Sequence, residues 1–157
     1  MTDVAGEDCG TVTGISSNCG GLMDVVLVVQ ASTAVEGSHS ALTQFMLSFM
    51  GRFQFKIDAD GNMQPWSPRL GIITMAYGAV SDESTTIQTL TADVAALKTA
   101  INSRAASSGQ LCTVCGLTLA QTLLTASGRS GVHKEVVLVV ASRANRENKW
   151  PAGANCK

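Results

Sequence analysis

The sequence predicts one α/β domain, a three-layer sandwich in which a mostly parallel central sheet is flanked by helices. Three observations carry that prediction. Met23 to Gln30 and Glu135 to Val140 are short, continuous runs rich in β-branched residues, and without alternation they read as strands buried on both faces. Apolar residues recur at helical spacing in the stretches between them. The composition, 157 residues with 45% hydrophobic and 15% charged side chains, suffices for one core and lies far from that of a disordered chain.

Taken in order, residues 1–21 are rich in Gly, Ser, Thr and Asp and read as a flexible, cysteine-containing lead-in. Residues 22–150 form the folded domain, and 151–157 a tail that carries Cys156. The first strand runs over Met23 to Gln30. Leu42, Phe45, Met46, Phe49 and Met50 mark a helix, with Ser38 or Ser40 as its cap and Gly51 as its stop. Asp58-Ala59-Asp60-Gly61-Asn62 is turn chemistry. As a calcium loop it would have its glycine at the wrong place, and Arg69 where an acidic ligand belongs. Pro65-Trp66-Ser67-Pro68 is a rigid loop in which Trp66 is a contact aromatic or a partly buried one. Leu70 to Tyr77 is a further apolar strand, followed by a short edge strand near 79–90. Leu90, Val94, Leu97 and Ile101 make a second helical stripe behind Thr89 or Thr91, and Leu119, Leu123 and Ala126 a third, closed by Gly128. His133 reads as an exposed turn residue before the last strand. In this architecture ligands bind at the carboxyl ends of the strands, which places function at Gln30 to Ala34, Tyr77 to Ser81 and Ala141 to Asn145.

Charge and composition exclude several classes. Eleven basic and twelve acidic residues give a net charge of −1, with no basic excess for nucleic acid or an anionic membrane surface. The apolar run Val25 to Val29 is far too short to span a bilayer. No dinucleotide-binding glycine pattern, phosphate loop or nucleophile elbow occurs, and no N-glycosylation sequon. These absences predict a non-enzymatic protein without a cofactor. Five cysteines, Cys9, Cys19, Cys112, Cys115 and Cys156, are disulfide candidates and point to an extracellular module whose leader lies outside this sequence. Their odd count leaves one thiol unpaired within the chain. Cys112-Thr113-Val114-Cys115 has redox-motif spacing ahead of a helix, so a thiol-redox protein is an alternative. A zinc site is not expected, since His39 and His133 stand at no ligand-like spacing.

Four segments resemble a known family. Leu22 to Ser32, an Asp followed by an apolar strand and a short polar loop, resembles the first strand of a von Willebrand factor A (vWA) domain. Pro68 to Met75 resembles its second strand. Cys112 to Leu119 resembles the Thr-x-x-Gly-Leu-x-Leu segment that opens a later helix, and Lys134 to Val140 the strand that follows. Cys19 and the run Val139 to Ser142 are similar to A-type modules attached to nematode C-type lectin-like proteins. The resemblance implies a Rossmann-like vWA fold that serves extracellular adhesion or protein interaction, and since typical members continue with two more strands, the chain is expected to be either a variant shortened after the fourth core strand or a fragment of a larger protein.

Family members hold a divalent cation at a metal-ion-dependent adhesion site (MIDAS), with an Asp-x-Ser-x-Ser loop, a Thr and a second Asp. In this chain the first Asp position is Gln30, the serine positions are Ser32 and Ala34, the Thr is best matched by Thr113, and the final Asp falls on Ala141 or Ser142. Hard divalent cations want carboxylate oxygens. The degenerate loop therefore implies no bound metal, and Gln30 is expected to hydrogen-bond to Ser32 or Thr113 instead. The implied partner is a protein ligand or matrix component, or a second copy pairing with an open edge at 135–140. The remaining alternative is a structural spacer.

Overall fold

The computed structural model describes residues 22–56, 58–60, 62–76, 84–105 and 111–141, and only the backbone of Thr33, Ala34 and Glu36. Strand β1 (Met23–Gln30) leads through a 3-10 turn (Thr33–Ser38) into α1 (His39–Met50). Then come β2 (Arg69–Met75), β3 (Thr85–Thr91), α2 (Val94–Asn102), α3 (Thr113–Ser127) and β4 (His133–Val139). The four strands form one sheet in the order β3-β2-β1-β4. β1 is parallel to both neighbours, with Val26 opposite Gly71 on one side and Val136 on the other, while β3 runs antiparallel to β2.

The alternating side chains of β1 feed two cores. Val25, Leu27 and Val29 pack with Leu42, Met46 and Met50 of α1 and with Leu97 and Ile101 of α2. Val26 and Val28 pack on the opposite face with Ile73, Met75 and Leu90, under Ala120 and Leu123 of α3. The result is three layers, with α1 and α2 on one side and α3 on the other. Gly116 sets how closely α3 can approach. A Cβ there would lie 2.7 Å from Val28 Cγ1 and 2.8 Å from Met75 Cβ, so the first turns of α3 rest directly on the ends of β1 and β2.

The amino edge of the sheet is locked by charge. Asp24 is fully buried. It accepts from Arg69 Nε at 2.9 Å and Nη2 at 2.7 Å, and from Arg129 Nη2 at 2.7 Å and its backbone N–H at 2.7 Å. Arg69 also donates to Ser127 O, and Arg129 to Pro65 O and Met23 O. One carboxylate thus ties together β1, β2, the loop before β2 and the end of α3. Burial alone would raise its pKa, but the hydrogen bonds from Arg69 and Arg129 hold it at about 2.

Several local expectations are corrected. Leu90 belongs to β3 rather than to the second helix, and Thr89 and Thr91 are strand residues. The cap of α2 is Asp93, whose carboxylate accepts from the backbone of Ala95 and Ala96. Ser38 holds the position before α1 without a side-chain cap bond. Phe45 is exposed and instead stacks on Phe49, which leads by edge contact to Phe53. Ala126 is exposed, and the buried stripe of α3 is Gly116, Ala120 and Leu123. The Glu135 to Val140 run is not buried on both faces: Val136, Leu138 and Val140 are exposed, and among the described residues β4 is paired on one side only. His133 is part of β4, bonded to Glu135 at 2.6 Å. Asp58 closes the predicted turn by accepting from the N–H groups of Asp60 and Asn62, and Trp66 is exposed.

Candidate functional site

At the carboxyl edge the chain leaves β1 at Gln30 and is held there by its neighbours. Ala31 N donates to Met75 O at 3.1 Å, which keeps the loop against the end of β2, and Val35 N donates to Ser32 O. Gln30 and Ser32 are both buried. Gln30 Oε1 accepts from Ala141 N at 3.1 Å, and Gln30 Nε2 donates to Ser32 Oγ at 2.7 Å. The backbone N–H of Ala141 can only donate, which fixes the orientation of the Gln30 amide and makes its nitrogen the partner of Ser32. One neutral side chain therefore joins the β1 loop to the end of β4, across 111 positions of sequence.

Thr113 is the first residue of α3 and is half-buried. Among the described residues no hydrogen bond links it to Gln30 or Ser32. Cys112 and Cys115, on either side of it, are joined as a disulfide with Cα atoms 5.3 Å apart. Cys112 is buried, and its sulfur accepts from Cys115 N at 3.2 Å, capping the helix it precedes. The side chain of Ala34 and all of Ser142, Cys9, Cys19 and Cys156 lie outside the described residues. The structure thus brings Gln30, Ser32 and Ala141 together and sets Thr113 at the neighbouring helix end.

Among the described residues this edge offers no carboxylate to a hard divalent cation. The position that would supply a carboxylate presents an amide N–H to Ser32, and that donor opposes a cation. Ala141 contributes no side-chain oxygen, and among the described residues no three His, Cys, Asp or Glu side chains cluster for a metal.

One residue of this edge escapes sequence reasoning. Arg104 follows α2 and is 4% exposed. Its Nη1 donates to Gln30 O at 3.4 Å, and its Nη2 lies 3.3 Å from His39 O and 3.4 Å from His39 Nδ1. Its Nε has no partner among the described residues. Burial lowers the pKa of its guanidinium. The available signal was spacing: Leu97, Ile101 and Arg104 follow one another at helical intervals, so Arg104 continues the inward stripe of α2.

Comparison with known proteins yields structural likeness only. No family model and no curated protein sequence matches this chain. Among solved structures it is similar to proximal thread matrix protein 1 (PTMP1) from the mussel byssus, with a zinc-occupied MIDAS motif, at 25% identity and a TM-score of 0.59. It is also similar to the vWF domain of the type V pili tip protein Mfa5 from Porphyromonas gingivalis (20%, TM-score 0.55) and to the SpRpn10 VWA domain (18%, TM-score 0.54). These matches cover 78% of this chain and 29% of PTMP1, 80% and 39% for Mfa5, and 80% and 63% for SpRpn10. The chain therefore spans less than a third of PTMP1's length. Its architecture is the vWA fold, an α/β sandwich with a four-stranded, mostly parallel sheet.

Proposed function

We propose that this chain is an extracellular protein-interaction or adhesion module of vWA type, non-enzymatic, that engages a protein or matrix ligand through its carboxyl-edge loops without a metal ion. The observation that carries the proposal is the Gln30 amide, which bridges Ser32 and Ala141 N–H where the family places a carboxylate. PTMP1 is a thread matrix protein and Mfa5 a pilus tip protein, which supports the extracellular setting. Among the described residues no helix is long and apolar enough to cross a membrane.

Thermal melting tests the metal-independent reading. After stripping with chelator, addition of millimolar Mg²⁺, Mn²⁺, Ca²⁺ or Zn²⁺ is expected to leave the midpoint unchanged, because only an ion that binds the folded state raises it. A saturable rise with any of them overturns the reading.

A second occupant, another copy of the chain, is favoured by β4. Among the described residues it is paired on one side only, and Val136, Leu138 and Val140 are exposed along it. Such an edge is a template for strand addition. Sedimentation should then show concentration-dependent dimers that Leu138→Lys abolishes, whereas a strict monomer at high concentration excludes this reading.

A further inference from the structure

Arg104 lies where the β1 loop, the first turn of α1 and the end of α2 meet, at the edge where this architecture binds ligands. Its acceptors are two backbone carbonyls and a ring nitrogen, all at 3.3–3.4 Å. These bonds are long for a charge-assisted donor. Nε donates to no atom of the described residues. The ion pairs among those residues are Asp24 with Arg69 and Arg129, and His133 with Glu135, so none of their carboxylates offsets Arg104. Holding a guanidinium out of water is costly, and three marginal bonds with no counter-ion among the described residues offset that cost only in part.

A second source of positive potential points the same way. α1 has no acidic residue in its first turn, and Ser38 makes no side-chain cap bond, so the positive end of this twelve-residue helix is not offset by its own side chains. His39, whose carbonyl and Nδ1 face Arg104, is the first residue of that helix. Arg104 itself is 4% exposed, and Ser103 and Ala105 on either side of it in the chain are exposed.

We infer that Arg104 is the anchor of an anion site that takes a carboxylate. Nε–H would donate to one oxygen, and release of the long Nη2 contact with His39 would free a second donor for the other, giving the paired geometry that a planar carboxylate matches. One guanidinium and one helix end offset a single negative charge, which favours a monoanion over a phosphate dianion. The carboxylate is either free in solution or carried on an acidic side chain of a protein ligand. The second source rests on the protein-interaction reading above, and the first does not.

The test is thermal melting of the full chain in sodium acetate, with ionic strength held constant by a bulky sulfonate salt. The expected result is a saturable rise of about 2–4 °C when acetate reaches roughly five times its Kd, absent in Arg104→Gln. No acetate-specific rise in the wild type, or an equal rise in Arg104→Gln, overturns the inference while leaving metal-independent protein binding untouched. Should Arg104→Gln fail to fold, the ¹⁵N resonance of the Arg104 Nε–H in the wild type decides the same question: displacement by acetate supports the site and invariance overturns it. A glutamate-containing peptide and its glutamine counterpart, read by that resonance, separate the sources. Displacement by the glutamate peptide alone assigns the site to a side-chain carboxylate, and displacement by acetate but neither peptide assigns it to a free one.

Discussion

Gln30 and Asp24 are both buried polar residues on β1, and their opposite ends of one strand show how little a side chain's type says without its partners. Gln30 is neutral and satisfies a backbone N–H and a hydroxyl. Gln30→Ala removes both bonds at once and should cost about 1–3 kcal/mol, measurable by urea unfolding. Asp24 is charged and held by two arginines, and Asp24→Asn should cost about 3–5 kcal/mol, because it leaves both guanidinium groups without their carboxylate. Its acid dependence follows from the lowered pKa. The folded-state value is about 2 against an ordinary 3.8, so the contribution is present in full above the unfolded value and is lost as pH falls through the folded one. Stability measured from pH 5 down to pH 2 should drop by roughly 2 kcal/mol from this group, and Asp24→Asn should flatten that part of the profile. The sequence singles out Gln30 because its neighbours resemble a known loop pattern in which an acid stands at that position. It cannot mark Arg104 as buried without a carboxylate partner among the described residues, since that is a property of three-dimensional surroundings and not of adjacent residues.

Among the elements, β1 was legible as an unbroken apolar run and α1 by the helical spacing of Leu42, Met46 and Met50, and Gly51 donates to Leu47 O at the stop of α1. The start of α2 was not. Thr89, Thr91 and Asp93 are all suitable caps by residue type, and only the pairing of β3 with β2 assigns the threonines to a strand. Asp93→Ala should therefore destabilise the protein by about 1 kcal/mol, while Thr89→Ala should leave α2 intact by circular dichroism. The exposure of β4 was hidden for a different reason: a run of valines and leucines looks the same whether one face or two are covered. At α3 the decisive feature is small size. Gly116→Ala should cost about 1–3 kcal/mol in denaturant unfolding, since Val28 and Met75 must both give way to the added methyl group.

At the scale of the whole molecule, the α/β class and the parallel sheet follow from strands that alternate with helices. The proposed site's location follows in turn, because strand ends converge on one edge. The strand order fixes where stability should concentrate. β1 has a neighbour on each side, and β4 has one among the described residues. Native-state hydrogen exchange should find the amides of Val25 to Val29 slowest, with those of β4 at least about tenfold faster. The same order has a consequence for synthesis. Gln30 waits for Ala141, 111 positions later, and β1 pairs along its length with β4, the last strand among the described residues. A ribosome releasing this chain thus exposes the flank of an apolar strand until β4 has emerged, and contacts of such separation are slow to form. An arrested nascent chain ending before His133 should therefore be held by folding chaperones, and one extended past Ala141 should let them go.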